Sequence, residues 1–241
     1  MKTLNSILLI CLLTLNSFGQ EIRTDEEEQK IKPKRTDNFI RMDGIRLGTD
    51  LTRPFQSLWT KGDRKGAEFS ADFELKPNIF PVAEAGWEKY SLDHDFVSYN
   101  SSGPYLRLGV NYNLLAAEAK EERDILYIGF RYGISFAKQE VSSYRIDNYW
   151  GPVEGSFPSQ TYQSQWIELV FGLTGEVLKN VYLGWSLRGK FNLVQKELEL
   201  PPAFFNPGYG KAENGMNVDI SYSLFYTLPF EFGRNKKEKK Q

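Results

Sequence analysis

The sequence predicts an all-β protein: an eight-stranded, up-and-down antiparallel transmembrane β-barrel with a filled polar interior. Three observations carry this. Eight segments alternate with period two, the bulky apolar residues of each segment share one face, and nearly every mid-strand charge falls on the opposite, small-residue face. A soluble sandwich or a lipocalin-like ligand-binding barrel would need the reverse assignment, with charges outside. A Lys or Arg facing lipid at mid-bilayer costs about 2 to 4 kcal/mol, so several such charges must point inward.

Composition sets the bounds. The chain has 241 residues, a formal net charge of −1 and 15% aromatic residues. That length suits one β domain, and the near-neutral balance argues against a nucleic-acid partner, which needs a strong positive field. Residues 1–19 read as a cleaved signal peptide. Lys2 is its basic start, residues 4 to 15 its apolar run, and Ser17-Phe18-Gly19 its small-x-small site. Cys11 is the only cysteine and falls inside this leader, so the mature chain offers no disulfide, thiol nucleophile or thiolate metal site.

Residues 20–38 carry charge and almost no apolar side chain, and read as a flexible periplasmic lead. The barrel is expected over 39–233, followed by a basic periplasmic tail at 234–241. Its strands are placed near 43 to 52, 67 to 76, 81 to 90, 104 to 114, 125 to 137, 163 to 177, 181 to 194 and 216 to 232. The longer ones reach the 9 to 11 residues of a tilted membrane-crossing strand. The fifth shows the pattern well: Leu126, Ile128, Phe130, Tyr132, Ile134 and Phe136 oppose Ile125, Tyr127, Gly129, Arg131, Gly133 and Ser135. No amphipathic helix of comparable strength is evident, though LLAAEAKEERD could form one turn.

The connections alternate in length. Long loops are expected after the first strand, around SLDHDFVSYNSSG, from about 138 to 162 and from about 195 to 215, with short turns at KPNI and LKN. Outer-membrane barrels share this asymmetry, and an even strand number returns both termini to the periplasm. Tyr112, Phe136, Tyr226, Phe230 and Phe232 fall near strand ends, where aromatic rings suit the bilayer interface.

Eight strands enclose room only for side chains. The inward charge set is Arg46, Asp50, Asp72, Glu74, Glu84, Glu88, Arg107, Arg131, Glu168, Glu176, Arg188, Lys190 and Asp219, which permits a paired network across the lumen. Lys89 departs from this parity near the outer rim. Tyr144, Tyr149, Trp150 and Phe157 in one long loop, and Phe204, Phe205 and Tyr209 in another, are candidate anchors for an envelope protein partner.

GIRLGTDLTRPF, GPYLRLGVNYNLL, LYIGFRYGISF, WIELVFG, LKNVYLGWSLRGKF, PGYGK and SYSLFYTLPF, in that order over about residues 40 to 232, resemble a family of small outer-membrane barrels of Bacteroidetes-type bacteria, catalogued as a domain of unknown function. The resemblance implies an outer-membrane address and brings no reaction with it. The expected role is a non-enzymatic structural or partner-binding envelope component, surrounded by outer-membrane lipid and working with an envelope protein or within an outer-membrane assembly or secretion complex, with no catalytic residue, cofactor or metal. Two alternatives stand beside it. One is the lipocalin-like barrel; the other is an outer-membrane lipid hydrolase or acyltransferase, for which His94 with Asp93, Asp95, Ser91 and Ser98 supplies the residue types.

Overall fold

The computed structural model describes residues 44–59, 63–76, 78–115, 124–195 and 202–228. The leader, the charged lead, the 116–123 part of LLAAEAKEERD, the closing Phe230-Glu231-Phe232 and the basic tail lie outside them. The strands are β1 (Ile45–Asp50), β2 (Arg64–Phe73), β3 (Ile79–His94), β4 (Val97–Asn113), β5 (Ile125–Asn148), β6 (Gly151–Leu178), β7 (Val181–Gln195), β8 (Phe205–Asn206), β9 (Gly210–Lys211) and β10 (Met216–Leu228). Eight of them close a barrel in the order β1-β10-β7-β6-β5-β4-β3-β2, every neighbour antiparallel, and β8 and β9 form a separate small hairpin.

All eight expected strands are present, and the faces fall as the alternation predicts. Leu108, Ile128, Leu169 and Ile220 are 53%, 52%, 54% and 47% exposed on the outside. The neighbouring Arg107, Arg131, Glu168 and Lys190 are at most 1% exposed within the lumen. The molecule is thus turned inside out relative to a soluble domain.

The long connections turn out differently. The segment 138–162, expected as a loop, continues β5 and β6 as a hairpin up to a two-residue turn at Tyr149 and Trp150. Pairing there runs through Arg145↔Glu154 to Asn148↔Gly151, with register irregularities around Val141. SLDHDFVSYNSSG is likewise strand, folded at Asp95 and Phe96. At the opposite, lower end, Asn78 and Asn180 take positive φ of 68° and 65°, the left-handed conformation tight turns require and Asn tolerates.

An unexpected helix, α1 (Thr52–Trp59), follows β1. Asp50 starts it: its carboxylate accepts from the backbone N–H of Thr52 at 2.5 Å and of Arg53 at 3.1 Å, satisfying two of the free donors of the first turn. β1 has only six residues, and where it stops the helix takes over its edge. The Tyr222 N–H donates to the Thr52 hydroxyl at 2.7 Å, and the Leu51 N–H to the Tyr222 carbonyl at 2.8 Å.

Candidate functional site

The lumen and its upper mouth hold the chemistry of this molecule. Alternation on each strand delivers the charges, and the cross-strand register brings them together. Arg46 on β1 lies against Asp72 on β2 at 2.9 Å, and its guanidinium also stacks on Phe225 at 5.0 Å. Glu84 on β3 receives Arg188 at 2.7 Å, Arg107 at 2.9 Å and Arg131 at 3.4 Å. Arg107 in turn reaches Glu168 at 3.1 Å and contacts Glu68. Three arginines around one carboxylate, with two further carboxylates outside them, form a continuous lattice spanning the barrel.

Neutral donors complete it. The Tyr105 hydroxyl donates to Glu68 at 2.6 Å and the Trp166 indole N–H to Glu168 at 2.6 Å. Arg131 also donates to Asn111 and to the carbonyls of Val110 and Phe130. Gly133 faces this site because a Cβ there would run into the Trp166 indole. Glycine beside arginine on the inner face thus makes room for a large neighbour.

Above the lattice lies a second layer of charge. Arg53, carried inward by α1, meets Glu88 at 2.7 Å and Asp219 at 3.3 Å, and Arg64 also contacts Glu88. Lys190 meets Asp219 at 2.9 Å. Among the described residues the lumen therefore holds seven cations, Arg46, Arg53, Arg64, Arg107, Arg131, Arg188 and Lys190, and seven anions, Asp50, Glu68, Asp72, Glu84, Glu88, Glu168 and Asp219. The interior is neutral, which is the arrangement that makes so many buried charges tolerable.

The mouth is closed by residues 203–212, the β8–β9 hairpin and its flanks. Phe205 stacks on Tyr90 at 4.7 Å, and its carbonyl accepts from Ser101 at 2.9 Å and Tyr162 at 2.5 Å. Gly208 donates its N–H to Glu88 at 2.9 Å and accepts from Lys190 at 2.9 Å through its carbonyl. Its φ of +79° and the Tyr105 ring 2.6 Å from any Cβ both require glycine. Tyr209, 1% exposed, packs on Trp166, and burial pushes its phenol up from the ordinary value. Below the lattice a cavity of about 20 Å³ lies among Arg46, Asp72, Tyr127, Thr174 and Ser186, room for roughly one water.

Several expectations need correction. Phe204, Phe205 and Tyr209 are not exposed anchors: the first is half-buried and the others are buried in this plug, because the aromatic-lined mouth removes them from water. Glu176 is exposed at the lower end, where it accepts from the Asn180 N–H at 2.8 Å. Glu74 is half-buried at the β2–β3 turn and accepts from the Asn78 N–H. Both stand at the ends of their strands, below the lumen lattice. Asp50 lies inside but serves α1. Lys89 departs from the inward set as expected, pointing outward between the inward Glu88 and the half-buried Tyr90.

Of the loop aromatics, Tyr144 and Phe157 stack on each other at 5.2 Å, half-buried against the plug, while Tyr149 and Trp150 are 92% and 91% exposed. Glu68, Arg53 and Arg64 belong to the lattice although the inward set expected from the alternation does not include them. Glu68 shares the inward parity of Asp72, so the alternation alone could have found it. His94 stacks on Phe96 at 5.9 Å at the β3–β4 turn, and no hydrogen bond joins it to Asp93, Asp95, Ser91 or Ser98 among the described residues. Among those residues no cluster of His, Cys, Asp or Glu is arranged to hold a metal.

No curated protein matches the chain significantly. Among solved structures, the crystal structure of the N-terminal β-barrel domain of Pseudomonas aeruginosa OprF is distantly similar, with 11% identity, a TM-score of 0.31, and 78% of this chain and 99% of that one covered. The sequence model of the domain of unknown function DUF6048 matches residues 1–232, and this chain belongs to that family.

Proposed function

We propose that this protein is a plugged, non-conducting barrel of the outer membrane of a Gram-negative, Bacteroidetes-type cell, exported by residues 1–19, that serves the envelope as a non-enzymatic structural and partner-binding component. One observation carries the reading: the barrel wall is apolar outside while a neutral, ion-paired lattice fills its inside. Hydrocarbon is the solvent that suits such a wall, and a closed barrel leaves no unpaired strand edge within it. On β5 the apolar row from Leu126 to Phe136 covers eleven residues, which at the usual strand tilt rises about 25 Å, the height of an outer-membrane belt.

The partner surface is the tip of the β5–β6 hairpin. β7 pairs with β6 only as far as Ser164↔Gln195, so residues 151–163 rise beyond the described part of β7. Pro152 and Pro158 stand on that edge, where proline discourages strand addition. Recognition therefore falls to the exposed pair Tyr149 and Trp150, edge to face at 5.2 Å, flanked by Ile146 and Val153. Aromatic anchors of this kind dominate many interfaces.

The test has two arms. Membranes containing the protein are dissolved in mild detergent, and migration before and after boiling is compared; a heat-dependent shift is expected, and free solubility without detergent overturns the address. A photo-crosslinker replacing Trp150 should then capture one defined envelope protein. Capture of nothing beyond the background given by the same probe at Lys179 overturns the partner surface.

A further inference from the structure

The outer wall carries one charged feature that neither the lattice nor the hairpin uses. Lys65 on β2 lies directly opposite Lys89 on β3; Lys89 pairs in register with Ser102 on β4, and Ser102 with Lys138 on β5. All three lysines point outward and are exposed, and none makes an ion pair among the described residues. Two like charges facing each other across neighbouring strands repel, so the row is unfavourable unless an anion joins it.

Its position says which anion. The outward row immediately below is Ala67, Trp87 and Pro104, in register, and Trp87 is 47% exposed. Apolar wall, then an interfacial tryptophan, then ammonium groups is the order in which a bilayer presents hydrocarbon, interface and phosphate. Farther up the same faces stand the acidic Asp93 and Glu140, so the basic band is narrow. Neighbouring strands are about 4.8 Å apart and tilted, so the row climbs only about 3 Å per strand, a difference the flexible four-carbon stems absorb. The next strand round, β6, presents Thr161 opposite Lys138 and Gln163 opposite Phe136, so the charge is confined to the β2–β5 arc.

We infer that Lys65, Lys89 and Lys138 form a docking site for the phosphate-bearing headgroup of an outer-leaflet lipid. The inference rests on the outer-membrane reading proposed above, which orients the row toward the outer leaflet.

The test uses the full mature chain reconstituted in phosphatidylcholine vesicles doped with phosphatidic acid, with retained lipid counted by native mass spectrometry. The variant Lys65→Gln/Lys89→Gln/Lys138→Gln should retain phosphatidic acid less well by about fivefold per lysine removed. Lys76→Gln/Lys179→Gln, at the lower end, should behave as the unaltered protein, and Lys89→Arg should keep the preference. A heat-dependent gel shift in each variant shows that it has folded. Equal retention by the triple variant overturns the site, as does loss of a co-purifying protein with no change in lipid. Failure of the unaltered protein to enter vesicles sinks the outer-membrane reading itself, whereas entry without phosphate preference sinks only this inference.

Discussion

The Lys190 ammonium donates at 2.9 Å both to the Asp219 carboxylate and to the carbonyl oxygen of Gly208, so one barrel residue clamps the plug and closes the lumen charge lattice together. Lys190→Met should remove the clamp and leave Asp219 with Arg53 as its remaining close ion pair. Breaking a buried pair in this way costs about 3 to 5 kcal/mol. The expected readouts are a lower temperature for the heat-dependent gel shift and faster hydrogen exchange in residues 203–212. Unchanged exchange there would show that the plug is held by its rings alone.

Arg107 and Glu168 lie 3.1 Å apart and share further partners, so their removal should be strongly non-additive. Arg107→Met alone leaves Glu68, Glu84 and Glu168 with less cation than they need, whereas Arg107→Met/Glu168→Gln removes charge from both sides. The double variant should be more stable than the sum of the singles by about 1 to 3 kcal/mol, measured by denaturant unfolding in detergent. Additive losses would show that the lattice is screened by water rather than sealed.

The wall orientation predicts a depth-dependent cost. Leu108→Lys and Phe130→Lys, mid-wall and exposed, should each destabilise the inserted barrel by about 2 to 4 kcal/mol. Tyr149→Lys at the hairpin tip should stay within about 0.5 kcal/mol. Equal, small effects at all three positions would mean that the wall faces water.

Gly208 should not tolerate a side chain. Gly208→Val meets both a positive φ and the Tyr105 ring, and should cost about 1 to 3 kcal/mol or expel the plug. Protease sensitivity of residues 202–212 separates the two outcomes. In planar bilayers the variant should still pass no steady current, because the lattice of Arg107, Arg131, Arg188 and Glu84 fills the lumen below the plug.

The alternation of Leu106 to Tyr112 against Tyr105 to Asn111 was enough to place bulky residues outside and Arg107 inside, because strand parity is local and a charge in hydrocarbon is costly wherever the strand lies. The same logic assigns Arg131, Glu168, Arg188 and Lys190, and it extends to Glu68, which lies within the second strand as placed and shares the parity of Asp72. Strand number and the closed order follow from the same local pattern and from the turns that separate its segments.

Other features depend on contacts between residues far apart in the chain. Arg53 and Arg64 sit in a stretch that reads as loop, and only the turn into α1 and the start of β2 bring them to Glu88, 35 and 24 positions away. Phe205 and Tyr209 look like exposed anchors in sequence. What buries them is a mouth built from Tyr90, Tyr99, Tyr105 and Trp166 on three different strands. Likewise 138–162 has no continuous apolar row, since its outer face meets water while its inner face mixes polar residues with Val141, Tyr144, Phe157 and Tyr162, and its strand character comes from pairing across the turn. Which way each strand faces is legible along the chain, since that is a matter of neighbours two residues apart. Which side chains meet across the lumen, and what closes it, is set by the folded barrel, since register between distant strands leaves no mark on either strand alone.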